Sequence, residues 1–567
     1  MEIEFEWTAR KRTSHRTTLP SSGTAPLKPT EGLNGPPVTP LRRKMYYRVV
    51  TTGNQLQAAS LDWALRHLNF EGEGDLFPKP FETDLLGKSW STVRPMLEKI
   101  DISSHTWSAT RNVLVPKDEV SFRRASQLDP LDAVLFTGII YEAGRVIESR
   151  RRPLSENRVF SYRFDPQNNG SMFALGNPWG GFWRSALKYS STASHVVVLD
   201  ISDFYNQIYH HTIENQLNES QVSRAHVSAI LNLLSTASSG VSRGIPIGPH
   251  SSHVLAELSL IPLDDYLSLK GYNYWRFVDD IHIACTSHQQ AQISIYDVAK
   301  FLDTSQKLLL NKQKTEILTS REYRARAKLM LVDNPINNEE KRILEILQRR
   351  AGPYTRVALS DLAPEDLKFL QGANIEGILK SYLEPGEPNY VRLRWFLRRL
   401  AQVGLPGGLE YIIANLQKCL PAIGEVAAYL NSAKELYRGA WADIGEALIS
   451  SLKQPIVATN EYLQIVLLSM FSRITPLNHF HLLAQSFDIY GDAARREVLL
   501  AAAITPASTP WVQSIKTNFG LMDPWQRRAL IFAAQRLPKD ERRFWLKNLK
   551  TSLSPLEAVI SGFVKDL

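Results

Sequence analysis

Residues 273–285 read NYWRFVDDIHIAC, and this stretch decides the fold. Aromatic and β-branched residues flank Asp279 and Asp280 on both sides, which predicts two strands joined by a short turn. Adjacent carboxylates raise each other's pKa, so the pair is either a polar hairpin tip or the metal-holding centre of an enzyme. An Asp-Asp pair taken alone is usually only a turn. The choice between the two interpretations therefore depends on the rest of the chain.

The composition is that of an ordinary globular protein with two or three domains. The chain has 567 residues, of which 44% are hydrophobic and 22% charged. It contains no apolar run of the roughly 18–20 residues that cross a bilayer, and it does not open with a signal-peptide pattern, so no membrane partner is expected. Cys285 and Cys419 are the only cysteines, which excludes a disulfide framework and favours a reducing, cytoplasmic compartment. A net charge of +9 suits a polyanionic partner.

Three parts follow one another along the chain. Residues 1–44 are rich in Pro, Ser, Thr and Gly without hydrophobic periodicity, which predicts a flexible basic tail. Residues 45–330 mix strand and helix patterns, as expected for an α+β domain. Residues 331–567 have helical periodicity, with Pro or Gly between segments of helix length, and predict an all-α, repeat-like domain, although they show no strict period.

A second acidic position lies upstream of the Asp-Asp pair. HVVVLD (195–200) is a short β-branched run that ends in Asp200, and Tyr205 follows five positions later. A carboxylate at the end of a strand points out of the sheet edge, where a metal ion and a polyphosphate have room. Asp203 in the same segment has a simpler explanation as a helix cap.

Two further blocks complete the pattern. SRGIPIGPHSSHVLAELSL (242–260) combines a tight Gly/Pro loop with an apolar helix. Glycine lets a backbone approach a ligand closely, and a helix N-terminus favours negative charge. LLLNKQKTEIL (308–318) places Lys314 in a strand-like stretch. Each block alone is weak evidence for a functional site, but the order of the blocks along the chain is a stronger signal.

The four blocks, in this order and spacing, resemble the palm of reverse transcriptases. That resemblance implies a right-hand polymerase with fingers and palm, using deoxynucleoside triphosphates. Nucleotidyl transfer of this kind uses two divalent cations about 3.5–4 Å apart. Mg²⁺ is the expected ion because it prefers oxygen ligands, and Mn²⁺ is the alternative.

The resemblance also implies roles for individual residues. Asp200 and Asp279 would bind both metal ions, and Asp280 would support the primer-side ion. Lys314 matches a lysine proposed as general acid toward the pyrophosphate, with a solvated lysine as the alternative. Tyr205 matches the position that packs under the sugar and excludes a 2′-hydroxyl. The metal set that follows from the resemblance is Asp200, Ile201, Asp279 and Asp280, and Ile201 is also assigned to the substrate site.

Two positions depart from the usual pattern of the family. Phe277 stands where the aromatic-x-Asp-Asp box usually has Tyr, and Ile247, before Gly248, stands where the loop usually has Gln. That Gln helps position the incoming nucleotide against its template, so templating comes into question. Arg158 and Arg163 match the region where arginines of the fingers contact the triphosphate, and ordinary surface arginines are the alternative.

The resemblance to one subgroup of this family extends over more of the sequence than the four blocks. VFSYRFDP (159–166), LDWALRHLNFEGEGDLFPKPFE (61–82), the GIPIGPHSSHVLAE loop and a long helical domain that includes VRLRWFLRRL (391–400) resemble the abortive-infection, AbiK-like bacterial reverse transcriptases. This implies antiphage defence through DNA synthesis. In some members synthesis is untemplated and primed from a protein hydroxyl within a trimer or hexamer, and the helical domain guides single-stranded DNA in place of a thumb.

We therefore predict a Mg²⁺-dependent DNA polymerase of reverse-transcriptase type in the bacterial cytoplasm, with a single-stranded DNA product that is covalently attached if priming is from protein. The alternatives are an RNA-templated enzyme of the retron or group II intron kind, which would bind RNA, and a non-catalytic scaffold that binds a phage or host protein. The histidines at 210–211 and 479–481 lack acidic or Cys partners at ligand spacing and are predicted to be structural. Tyr46 and Tyr47 are candidate priming residues.

Overall fold

The computed structural model describes residues 53–331, 338–348, 363–370 and 372–567. The predicted tail at 1–44 and the candidate priming residues Tyr46 and Tyr47 lie outside the described residues. Two sheets are present in the described part. A two-stranded antiparallel hairpin and a four-stranded antiparallel sheet have the following bounds: Arg111–Pro116 (β1) and Phe122–Gln127 (β2); His195–Leu199 (β3), Asn273–Phe277 (β4), Asp280–Cys285 (β5) and Glu316–Thr319 (β6).

Helices surround both sheets in the first part of the chain. Their bounds are Ala58–Phe70 (α1), Phe81–Lys88 (α2), Trp90–Leu97 (α3), Pro130–Arg150 (α4), Pro178–Ser190 (α5), Phe204–Gln207 (α6), His210–Glu219 (α7), Arg224–Ala237 (α8), His250–Ser259 (α9), Ile261–Leu269 (α10), His288–Phe301 (α11) and Ser320–Leu331 (α12). The longest of them, α4, begins after Asp129, whose side chain accepts a hydrogen bond from the Leu131 main chain.

The described residues after Leu331 form helices and short 3₁₀ turns without strands. Helix bounds are Asn338–Gln348 (α13), Pro364–Phe369 (α14), Gly372–Leu383 (α15), Tyr390–Val403 (α16), Leu409–Ala414 (α17), Ile423–Ala433 (α18), Trp441–Leu452 (α19), Pro455–Thr459 (α20), Glu461–Phe471 (α21), Phe480–Gln485 (α22), Asp492–Ile504 (α23), Thr509–Ile515 (α24), Pro524–Ala533 (α25), Lys539–Leu549 (α26) and Pro555–Asp566 (α27). The repeat character and the domain boundary at 331 stay predictions.

The four-stranded sheet has the order β4-β5-β3-β6, and both of its faces are covered. Along β3, Val196 and Val198 pack with Trp275 in one core, whereas Val197 and Leu199 pack in the other. This alternation follows from the two-residue period of a strand. Burial on both faces explains why β3 reads as an uninterrupted apolar run until it reaches Asp200.

Helix α16 confirms the predicted apolar face of VRLRWFLRRL, because Leu393, Phe396, Leu397 and Leu400 are all buried. Its arginines contact protein rather than standing free. Arg394 donates hydrogen bonds to the carbonyls of Pro116 at 3.2 Å and Pro421 at 2.7 Å. The contact with Pro116 joins α16 to the end of β1 in the two-stranded hairpin.

A buried ionic cluster joins the helical half of the chain to the fingers. Glu82 of α2 is fully buried and accepts hydrogen bonds from Arg496 of α23 at 2.6 Å and from Arg528 of α25 at 3.1 Å. Arg528 also donates to Asp129, the cap of α4, at 2.7 Å. Buried charges are stable only when they are paired, so each partner depends on the others. The first and second halves of the described chain accordingly form one compact unit.

Among the described residues, no single helix is long and apolar enough to cross a membrane. The segments Asp492–Ile504 and Pro506–Leu521 meet the length and composition test only when taken together, and they bend by 114° where they join.

Replacing Glu82 by Ala is expected to lower the free energy of unfolding by about 3–5 kcal/mol, because two buried guanidiniums lose their shared carboxylate. Asp84→Ala on the same helix is the matched control, since Asp84 is exposed and pairs with Lys79 at the surface. The control is expected to cost less than about 1 kcal/mol. Urea denaturation followed by tryptophan fluorescence measures both, and equal losses would contradict the role of Glu82.

Candidate active site

Asp200 lies directly after β3 and is held in one orientation by three contacts. Its Oδ1 accepts a hydrogen bond from Lys314 Nζ at 2.9 Å, and its Oδ2 accepts one from Asn311 Nδ2 at 3.0 Å. Its main-chain carbonyl accepts from the Asn311 amide at 2.8 Å. The prediction that Lys314 lies in a strand is wrong, because Lys314 ends a 3₁₀ turn and β6 begins only at Glu316.

The register of the sheet brings the second carboxylate beside the first. Leu199 of β3 pairs with Ile281 of β5, and continuing this register by one residue would place Asp200 opposite Asp280, whose pKa the charge of Asp200 raises. Opposite residues of an antiparallel pair project from the same face, with Cβ atoms about 4.5–5.5 Å apart. The predicted hairpin is confirmed, since β4 and β5 are joined by the two-residue turn Val278-Asp279.

The turn itself is strained and is held by its surroundings. Val278 has a φ of +54°, which is unfavourable for a β-branched residue. Its amide donates a hydrogen bond to Ser161 Oγ at 2.8 Å, and its carbonyl accepts one from Arg276 at 3.2 Å. Strained backbone of this kind persists where neighbouring groups determine it, and it is common at functional sites.

Below the turn lies a fully buried ionic network centred on Arg276. Its guanidinium donates to Asp264 at 2.7 and 2.8 Å and to Glu257 at 2.8 Å. Glu257 also accepts from Arg151 at 2.6 Å and forms a short hydrogen bond with Ser161. Burial acts to raise the pKa of Glu257, but the charges of Arg151 and Arg276 hold it below its usual value. The network therefore remains ionised beneath the site.

The carboxylates repel one another in the absence of a cation. Burial, with the charges of Asp280 and Asp200, raises the pKa of Asp279 to about 7. Burial, with the charge of Asp200, raises the pKa of Asp280 to about 6. Burial acts to lower the pKa of Lys314, but the hydrogen bond to Asp200 raises it overall. A cluster of oxygen donors with excess negative charge fits hard divalent cations, which would offset this repulsion.

The Gly/Pro loop lies against the fingers, as its composition predicts for a close backbone approach. Gly248 has a φ of +143°, and a Cβ there would lie 2.5 Å from the Ser126 carbonyl. The Ile247 carbonyl accepts a hydrogen bond from the Ser126 amide at 2.7 Å. Ile247 is half-buried, and its side chain brings no hydrogen-bonding group to the site.

Tyr205 and Phe277 are placed by aromatic neighbours. The hydroxyl of Tyr205 and His253 Nδ1 share a hydrogen bond at 2.6 Å, and Tyr162 stacks on His253 with ring centroids 3.9 Å apart. Burial lowers the pKa of His253 to about 3, so the imidazole is neutral. Phe277 packs edge-on against Trp179 at 5.1 Å. Sequence reasoning missed Tyr162 and His253 because no spacing links 162, 205 and 253.

The structure does not bring Arg158 and Arg163 to the carboxylates. Arg158 donates to the Asn273 side chain and to the Tyr274 carbonyl, both at 2.9 Å, at the end of β4 opposite to the turn. Arg163 is buried and forms an ion pair with Glu148. Both guanidiniums satisfy polar groups of the protein, which explains why these positions carry arginine.

The remaining predicted positions have structural contacts. Ile201 is buried and forms a bridge with Leu310, so only its main chain could face a metal ion. His210 contacts the Gly244 carbonyl at 2.9 Å, and His479 contacts the Leu477 carbonyl at 2.9 Å. The first of these contacts supports the start of the Gly/Pro loop.

Residues 143–350 match the family described as reverse transcriptase (RNA-dependent DNA polymerase). This range contains Asp200, the Gly/Pro loop, the Asp-Asp turn and Lys314. The matched residues are thus similar to a reverse-transcriptase domain, and the predicted enzyme class, an RNA-directed DNA polymerase-type nucleotidyltransferase, is confirmed. Such domains use divalent metal ions and deoxynucleoside triphosphates.

A solved structure of telomerase from Candida albicans in complex with a TWJ fragment of telomeric RNA is similar over 68% of this chain and 71% of its own. Its sequence identity is 12% and its TM-score is 0.29. A search of curated proteins found no match.

The raised pKa of Asp279 predicts a pH-dependent stability of the metal-free protein. Above the ordinary pKa of 3.8 the unfolded chain has lost this proton, whereas the folded chain keeps it until about pH 7. The free energy of unfolding therefore falls as the pH rises from about 4 to about 7. In chelator at about pH 8, Asp279→Asn is expected to be more stable than the parent by on the order of 1–3 kcal/mol.

Thermal unfolding at several pH values measures this difference, which should shrink toward about pH 4. Asp303→Asn, at an exposed position of the same domain, is the control and should leave the profile unchanged. A pH profile of Asp279→Asn identical to that of the parent would contradict the assignment.

Proposed function

We propose that this protein is a Mg²⁺-dependent DNA polymerase of reverse-transcriptase type that acts in antiphage defence in the bacterial cytoplasm. The observation that carries the polymerase assignment is the convergence of Asp200, Asp279 and Asp280 with Lys314 at one end of one sheet. The defence role rests on the resemblance of the chain to AbiK-like reverse transcriptases.

The three carboxylates would hold two divalent cations. Their donors are all oxygen, which favours Mg²⁺, and Mn²⁺ accepts the same ligands. When bound, such ions activate a primer hydroxyl and neutralise the charge of the triphosphate. The hydrogen bonds from Lys314 and Asn311 fix the orientation of Asp200, which keeps its oxygens aimed at the site.

Lys314 is suited to protonate the leaving pyrophosphate. Its pKa is raised, so the ammonium is charged at neutral pH, and its side chain is 63% exposed toward the solvent from which a triphosphate would arrive. Tyr205 would exclude a 2′-hydroxyl, since His253 and Tyr162 restrict the movement of its ring. These two residues would therefore supply proton transfer and selection for deoxynucleotides.

We further propose that synthesis is untemplated. The loop residue Ile247 lacks an amide side chain, and its carbonyl is already hydrogen-bonded to Ser126. The loop consequently has no side-chain amide at this position to hold a nucleotide against a template base. By resemblance, the product is single-stranded DNA attached to a protein hydroxyl, the enzyme is a trimer or hexamer, and residues 331–567 take the place of a thumb. An RNA-templated enzyme of retron or group II intron type is the alternative.

Purified protein incubated with dNTPs and Mg²⁺ is expected to incorporate nucleotides, and Asp279→Asn/Asp280→Asn should reduce incorporation by at least about 10³-fold because cation binding is lost. Asp303→Asn is the matched carboxylate control. Phage challenge of cells that carry the double variant tests the scaffold alternative in parallel. Absence of incorporation by the parent, or full phage defence by the double variant, would contradict the proposal.

A denaturing gel after incubation with labelled dNTPs tests priming and templating. Label that migrates with the polypeptide, and that persists after ribonuclease and deoxyribonuclease treatment of the enzyme before synthesis, is the expected result. Label that runs free of protein and requires added RNA would instead support the templated alternative.

A further inference from the structure

Two histidines and a glutamate from two segments of the chain meet beside the Gly/Pro loop. His67 lies in the last turn of α1, Glu71 follows α1, and His250 is the first residue of α9. The Nε2 atom of His67 and the Nδ1 atom of His250 are 3.3 Å apart. One ligand atom from each of the three residues lies within 4.8 Å of the others.

The ring of His67 is oriented by a carbonyl on its far side. Nδ1 of His67 is 2.8 Å from the Gly170 carbonyl and 3.4 Å from Oε2 of Glu71, so it carries the proton and donates it to the carbonyl. Gly170 has a φ of +102°, and a Cβ there would lie 2.8 Å from the Arg66 carbonyl, so glycine is required for this approach. With the proton on Nδ1, Nε2 presents a lone pair toward His250.

The ring of His250 also has one nitrogen facing the other histidine and one nitrogen facing an oxygen. Its Nδ1 faces His67, and its Nε2 is 3.6 Å from Asp75 Oδ1. If Nδ1–H donated to His67 in a neutral ring, the Nε2 lone pair would face a carboxylate, which is repulsive. A second proton on the ring removes this conflict, and so does a metal ion between the rings, which Nδ1 would bind while Nε2–H points to Asp75. Metal-bound histidines usually donate their second N–H to a carbonyl or carboxylate in this way.

We propose that His67, Glu71 and His250 form a binding site for a divalent transition-metal ion, of which Zn²⁺ fits best. Nitrogen ligands about 2.0–2.1 Å from a tetrahedral Zn²⁺ are about 3.3 Å apart, which matches the separation of the two ring nitrogens. Ser171 donates to Oε1 of Glu71 at 2.7 Å, which orients the carboxylate. Two imidazoles and one carboxylate select such an ion over Mg²⁺, which prefers oxygen.

An ion at this site would join α1 to α9, and both helices border the Gly/Pro loop. His250 follows Pro249 of the Gly/Pro loop, and its amide donates to the Glu73 carbonyl at 2.8 Å. A Cβ at Gly74 would lie 1.7 Å from the Gly248 carbonyl, so this segment packs directly against the loop. The site would thus clamp helix α1 and the segment after it against the loop, and would stabilise the fingers independently of catalysis.

Calorimetric titration of the chelator-treated full chain with ZnCl₂, in excess Mg²⁺ to occupy oxygen sites, tests the proposal. We expect one Zn²⁺ per chain and a rise in melting temperature. His250→Ala and Glu71→Gln should abolish or weaken this binding, and Asp75→Asn should weaken it by about 10- to 100-fold. None of these readouts depends on polymerase activity, so the outcome is separate from that of the proposed function.

His105→Ala is the matched control, because His105 is also partly buried and pairs with a carboxylate, Asp132, at 2.9 Å. It should bind Zn²⁺ like the parent. Circular dichroism checks that each variant is folded, and Glu71→Gln tests the site without removing a buried ring. Absence of Zn²⁺ binding by the parent, or equal affinity in His250→Ala, Glu71→Gln and His105→Ala, would overturn the site.

Discussion

The buried guanidinium of Arg276 is the contact on which the active site depends. It is fully enclosed, and it joins Asp264 of α10, Glu257 of α9 and the carbonyl of Val278 in the Asp-Asp turn. Through Glu257 the same network reaches Arg151 at the end of α4. Removing water from so many charges is costly, and only complete pairing offsets that cost. The position of the turn is therefore coupled to helices α9 and α10 and to the end of α4.

The ionic network around Arg276 offsets two energetically unfavourable features of the site. Val278 has a backbone conformation that a β-branched residue avoids, and the carboxylates of Asp200, Asp279 and Asp280 gather where burial and mutual repulsion disfavour their charge. Neither feature would persist without support from the surrounding fold. A divalent cation relieves the repulsion but not the strain, so the framework must be in place before an ion arrives.

Much of the palm could be predicted because its determinants are local. Alternating apolar residues and a two-residue turn specify the hairpin, and the apolar run of β3 ends where the polar residue Asp200 follows Leu199. The pairing of Asp200 with Asp280 follows once these strands neighbour one another. Arg158 and Arg163 could not be placed in the same way. A guanidinium is long enough to reach a phosphate or a nearby carbonyl, and only the packing around β4 and Glu148 decides between them.

The sequence by itself determined the order of the polymerase blocks, the strands that carry the carboxylates and the departures at Phe277 and Ile247, because each depends on neighbours along the chain. The tertiary structure decided which distant side chains meet. His253 under Tyr205, and Glu82 between Arg496 and Arg528, join residues that no periodicity relates. Such contacts arise from the packing of whole elements, since buried polar groups take whichever partner the fold brings within hydrogen-bonding distance.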